Sequence, residues 1–233
     1  MRMHSVTIPL GSAATVSGEL CVPDGFEPGR TPAVITAHGA GNDMHTPLLE
    51  CFSRGLCRSG RLSLRFNFPY TEQGRRAPDP QPRLVHTWQA AFEFIAAHPD
   101  YGTRTIVAAG KSMGGRIASH ATAGGLISPA GLIFLGYPLH PAGQPDRLRD
   151  AHLYDISAPM LFFAGTRDAL CRLDLLQPVI ARIRAPVALE TIAGGDHSFG
   201  VPKSAATASE DVYERIVART LAWMERVVRP ERP

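Results

Sequence analysis

No stretch of the 233-residue chain stays apolar for the length a membrane span requires. The N-terminal segment MRMHSVTIPLGSAATVSGELCVP is interrupted by Pro9, Gly11 and polar residues before an apolar core of signal-peptide length can build up. Cysteine is scarce. Cys21, Cys51, Cys57 and Cys171 form no C-x-x-C pair, which excludes the common zinc and dithiol redox motifs. Free buried thiols in a reducing cytoplasm are therefore the expectation. An excess of one charge is also missing: the net charge is only +3, and lysines and arginines are mixed with acids rather than gathered in a stripe. Neither a nucleic acid nor a membrane surface is an expected partner. There is no internal repeat, no low-complexity linker and no intact cofactor fingerprint.

What is present is the composition of an ordinary globular chain, 44% hydrophobic and 19% charged, of a length suited to one α/β domain over residues 1–233. SVTIPL and TVSGELCVP alternate as an antiparallel hairpin should. Thereafter short apolar runs suited to buried strands (AVITAH, SLRFNF, TIVAAG, AGLIFLGY, PMLFFAG, PVALETIAG) alternate with segments of helical period. Helices are expected over Pro47–Ser59, over Leu84–Ile95, from Met113 to about Ala123, over LDLLQPVIARI and along a closing segment carrying Val212, Ile216 and Val228. Pro178 should bend or restart the fourth of these, and Ser209, with Glu210 and Asp211, could cap the last. The alternation predicts an α/β fold: a mostly parallel sheet covered by helices on both faces, with an antiparallel N-terminal hairpin. Right-handed crossovers put every strand-to-helix loop at one sheet edge, where chemistry is to be sought.

The segment TIVAAGKSMGGRIAS, residues 105–119, admits two readings. Gly110-Lys111-Ser112 matches the tail of a phosphate-binding G-x-x-x-x-G-K-[ST] loop, whereas Gly110 to Gly114 matches the G-x-S-x-G turn that presents a nucleophilic serine. The first fails because its leading glycine is Thr105 and residues 105–109 form a β-branched apolar strand, leaving no loop to wrap phosphate. The second has all its parts: a strand, a tight turn with small residues at Gly110 and Gly114, and a helix whose dipole favours developing negative charge at Ser112.

A serine hydroxyl needs a base, and the base needs an acid to orient it. Asp168 follows the strand PMLFFAG, and His197 follows the next strand, so both fall on the sheet edge of Ser112 in the order Ser, Asp, His. Taken singly, Asp168 could be a turn residue and His197 a loop histidine; order and setting together favour catalysis. Asp196, beside His197, is expected to hold the loop. His38 precedes the serine, the wrong order for the base. The backbone N–H of Met113 and that of Ala40, in the loop AHGAGND, are the expected oxyanion donors, with Gly41 leaving space for substrate. The G-A-G fragment is no dinucleotide fingerprint, since the third glycine position is Met44. Arg75 and Arg76 lie in a loop at the same edge. One of them binding a substrate carboxylate or phosphate stands against an ion pair with Glu72 or Asp79.

With AHGAGNDM (37–44), RFNFPYTEQGRRAPDP (65–80), GKSMGGRIAS (110–119) and GGDHSF (194–199), the chain resembles α/β-hydrolase-fold proteins of the small dienelactone-hydrolase-like type. It is similar in particular to the compact predicted hydrolases whose family includes a subunit of the nonspecific-lethal chromatin complex. The resemblance implies Ser112 as nucleophile, His197 as base and Asp168 as acid, with no cofactor or metal and a small acyl compound as partner. Dienelactone hydrolases proper use a cysteine where this chain has serine. Scaffold members of the chromatin branch make a non-catalytic interaction module the alternative. The segment from Tyr137 to Ala158 is too short for a cap domain, so an open site is expected. Nothing in the sequence sets the oligomeric state.

Overall fold

Five of the apolar runs become strands with almost no exposed position. In the computed structural model, which describes residues 1–11, 14–202 and 209–228, these are β3 (Ala33–Ala37), β4 (Leu62–Phe66), β5 (Ile106–Lys111), β6 (Gly131–Leu135) and β7 (Met160–Gly165). β1 (Arg2–Pro9) and β2 (Thr15–Val22) form the antiparallel hairpin, and β8 (Val187–Ile192) forms the far edge. The strand order is β1-β2-β4-β3-β5-β6-β7-β8. β2 meets β4 antiparallel, and the pairs from β4 through β8 are all parallel.

The helices cover both faces because the parallel strands are apolar on both. α1 (Pro47–Arg58) and α6 (Ser209–Val227) cover one face, where Phe52, Leu56, Ile216 and Trp223 pack on Val34, Val107 and Ile133. Their close approach uses Gly55, where a Cβ would lie 2.7 Å from Val217 Cγ1. The short α2 (Pro69–Glu72), α3 (Gln81–Ala96), α4 (Met113–Ala123) and α5 (Leu173–Arg182) complete the set. α3, α4 and α5 cover the other face, with Trp88, Ile95, Ile117 and Leu176 against Ile35, Ala108 and Phe134. Between β6 and β7 the chain makes loops and a single 3₁₀ turn, Ala151–Asp155, so no cap domain stands over the edge.

Two expectations need correction. Of the two effects expected of Pro178, the restart does not occur: α5 is continuous through it, and forgoes the hydrogen bond that Pro178 cannot donate to Asp174. Cys21 and Cys57 are not free thiols but a disulfide joining β2 to α1, with Cα atoms 6.0 Å apart and a sequence separation of 36. Such a pair leaves no local signature, because packing of the helix on the strand decides it. The cysteines therefore no longer argue for a reducing compartment. The capping roles considered for Ser209 and Glu210 fall on side chains outside the described residues. Among the described residues, no helix is long and apolar enough to cross a membrane.

Candidate active site

The site begins with a strained turn. Ser112, between β5 and α4, has φ 51° and ψ −117°, outside the regions L-residues normally occupy. The turn closes because its neighbours lack side chains: a Cβ on Gly114 would lie 2.5 Å from the Ala37 carbonyl oxygen, and one on Gly110 would enter the backbone of Gly114 and Gly115. The Trp88 indole N–H donates to the Gly114 carbonyl at 2.9 Å, tying the first turn of α4 to α3.

Asp168 lies between β7 and α5, and His197 follows β8, so both rise from the same edge as Ser112. Their loops are stitched together. Arg167 N–H donates to the Gly195 carbonyl at 2.9 Å, and Gly194 N–H to Thr166 Oγ1 at 2.8 Å. A Cβ on Gly165 would collide with the Gly195 and Asp196 carbonyls, so glycine there permits the approach. Asp196 holds its own loop, accepting from Ser198 N–H at 2.8 Å and Gly200 N–H at 2.9 Å. The structure thereby brings the three residues into one chain of contacts: His197 Nε2 is 2.8 Å from Ser112 Oγ, and His197 Nδ1 is 2.8 Å from Asp168 Oδ2. The Asp168 side chain is fully buried, and its Oδ1 also accepts from Leu170 N–H at 2.8 Å.

The loop after β3 packs against the serine. Gly39 approaches so closely that a Cβ there would be 3.4 Å from Ser112 Cβ. Ala40, Met113 and Ser112 share a cavity of about 300 Å³, also lined by Leu84, Pro138 and Leu170. Several groups hold this loop. His38 Nδ1 is 2.8 Å from the Gly39 carbonyl, and its Nε2 accepts from Phe68 N–H at 3.1 Å. Arg65, fully buried in β4 and paired with Glu19, donates to the Met44 carbonyl at 2.6 Å. Asn67 Oδ1 accepts from Met44 N–H at 2.9 Å. Burial lowers the His38 pKa, which suits an imidazole that accepts a backbone hydrogen bond.

Gly41, Arg75 and Arg76 are placed elsewhere, around a neighbouring depression of about 500 Å³ with Asp43, His45 and Thr71. Arg75 is engaged by Asp79 at 2.6 Å, the ion-pair alternative of the sequence reading.

Residue-by-residue reading passed over three side chains. Lys111 is not an idle elbow residue: its ammonium donates to the His197 carbonyl at 2.7 Å and lies 5.8 Å from the Phe199 ring centre. Burial brings its pKa down to about 8, against the raising influence of Asp168 and Asp196. Arg116 and Arg149 line the Ser112 cavity. Arg116 was discoverable as the residue four places after Ser112, one helical turn away; Arg149 lies in a loop with no motif.

An uncapped, mostly parallel sheet with a serine on a strained strand-to-helix turn at its C-terminal edge is the architecture of the α/β hydrolases. The chain belongs to the Alpha/beta hydrolase domain family, whose pattern matches residues 30–225. Solved structures share the fold over nearly their whole length. The dienelactone hydrolase of Anabaena variabilis is 19% identical, with 98% of this chain and 99% of that chain covered and a TM-score of 0.76. A lidless α/β serine hydrolase from Xanthomonas campestris is 18% identical, with 100% and 98% covered and a TM-score of 0.76. Est1E of Butyrivibrio proteoclasticus, solved with ferulic acid, is 17% identical, with 94% and 99% covered and a TM-score of 0.74.

Proposed function

We propose that the protein is a serine hydrolase of small carboxylic esters or related acyl compounds, working through an acyl-enzyme. One observation carries this reading: the continuous Ser112–His197–Asp168 hydrogen-bonded chain beneath an open cavity. His197 Nε2 takes the Ser112 proton as Oγ attacks the ester carbonyl carbon. Asp168 accepts from the Nδ1–H and stabilises the imidazolium that forms. The backbone N–H groups of Met113 and Ala40 receive the oxyanion, each such donor being worth about 3 kcal/mol in comparable enzymes. His197 returns the proton to the leaving alcohol. Water, activated by the same histidine, then cleaves the acyl-serine bond and restores Ser112. Every proton passes through His197, so the scheme calls on no metal or cofactor.

The test is covalent labelling by a fluorophosphonate. Wild-type protein should label and Ser112→Ala should not, with Asp168→Asn losing about 10³–10⁴-fold in kcat on any ester that is turned over. Absence of labelling in the folded wild type would refute the hydrolase reading and leave the interaction-module alternative.

A further inference from the structure

The cavity above Ser112 carries more positive charge than its own structure uses. Arg116 and Arg149 both line it, and both are only partly exposed. Among the described residues, neither guanidinium has a carboxylate within ion-pair distance. Arg116 is held by neutral acceptors instead, Gln81 Oε1 at 3.2 Å and His120 Nε2 at 3.3 Å, and its buried Nε has no partner. The Arg149 side chain reaches the Pro138 carbonyl at 3.5 Å. The nearby acids are engaged. Asp79, which also lines the cavity, faces both Arg75 at 2.6 Å and Arg83 at 3.5 Å. Asp150 accepts from the Tyr154 hydroxyl at 2.5 Å and lies 3.9 Å from Arg182.

Behind Arg116, the rings of His120 and His152 stack at 3.6 Å. Burial first, and then Arg116 or the neighbouring ring, brings each imidazole down to about 4, so near neutral pH they are acceptors without charge. Two guanidiniums fixed by neutral groups near each other destabilise the empty site. Burial first, and then the charge of Arg149, lowers the pKa of Arg116. An arriving anion removes that cost, and guanidinium geometry suits a carboxylate.

We propose that Arg116 and Arg149 form a subsite for a carboxylate carried by the ester substrate. The inference rests on the hydrolase reading above and narrows its substrate class. Both arginines line the same cavity of about 300 Å³ as Ser112. Arg116 N–H donates to the Ser112 carbonyl at 3.1 Å, placing the two residues one turn apart on α4. A carboxylate held by the arginines and a carbonyl attacked by Ser112 therefore belong to one small molecule that this cavity can take. Monoesters of short dicarboxylic acids meet that requirement, as do small esters whose alcohol part bears the acid. Arg75 and Arg76 line the neighbouring depression and not this cavity.

The test compares kcat/KM on monomethyl glutarate with that on dimethyl glutarate, and on para-acetoxybenzoate with that on its methyl ester. In wild type the charged member of at least one pair should be preferred, and the pair that shows it identifies whether the acyl or the alcohol part carries the carboxylate. In Arg116→Gln and in Arg149→Gln the charged-to-neutral ratio should fall about tenfold or more, with Arg149→Lys recovering part of it. A merely structural role would lower both members alike and leave the ratio unmoved. No preference in wild type, or a ratio unchanged in both variants, overturns the subsite. Fluorophosphonate labelling of the same preparations separates that result from failure of the hydrolase reading, because a labelled enzyme indifferent to charge loses only the subsite.

Discussion

Lys111 occupies the variable position of the elbow, yet its side chain runs from the strand that precedes Ser112 to the carbonyl of His197. A buried ammonium with one strong acceptor is a costly group, which is why its pKa falls from 10.5 to about 8. Below about pH 8 both the folded and the unfolded chain hold the proton. Between about 8 and 10.5 the unfolded chain holds more, so stability should rise with pH across that window. Urea unfolding of wild type and Lys111→Met through that range tests this. The wild type should gain stability relative to the variant as pH rises, and parallel curves would show that the lysine is not buried in its charged form. Arg116 was readable at this scale as a residue one turn from Ser112. The absence of a counter-ion among the described residues was not, because ion pairing is a property of neighbours brought in from other elements.

Elements were the scale at which periodicity was most informative. Strands buried on both faces read as uninterrupted apolar runs, and the amphipathic helices read from their spacing. Pro178 does not restart α5, because a helix packed on a sheet can absorb one missing hydrogen bond. The Cys21–Cys57 bond was invisible for a different reason: alternation places Cys21 on a face of β2, but only the seating of α1 on the sheet brings Cys57 to it. Tryptic digestion without reductant should yield Met3–Arg30 linked to Gly55–Arg58. Recovery of the Gly55–Arg58 peptide alkylated under those conditions would count against the pair. Closing a loop of this length should stabilise the chain by about 2–4 kcal/mol, measurable as a lower urea midpoint after reduction.

At the scale of the molecule, the proposed machinery is assembled from four loops after β3, β5, β7 and β8, distant in the chain and brought to one edge by the sheet. Trp88 lies in the core on one face and Trp223 in the core on the other, so tryptophan fluorescence reports on both packing layers. Fluorophosphonate reactivity should therefore disappear at the same denaturant concentration as the fluorescence transition. Loss at a clearly lower concentration would mean that the loops lose their geometry while the sheet still stands. The sequence by itself determined the sheet, the edge on which its loops gather, and the candidates Ser112, Asp168 and His197, because strand alternation and the G-x-S-x-G turn are local and periodic. Tertiary structure alone decided the separations within that trio, the disulfide, the engagement of Arg75 by Asp79 and, among the described residues, the lack of a carboxylate partner for Arg116 and Arg149. Each of these depends on which side chains from distant segments meet in the same low-dielectric space, and no local pattern encodes that.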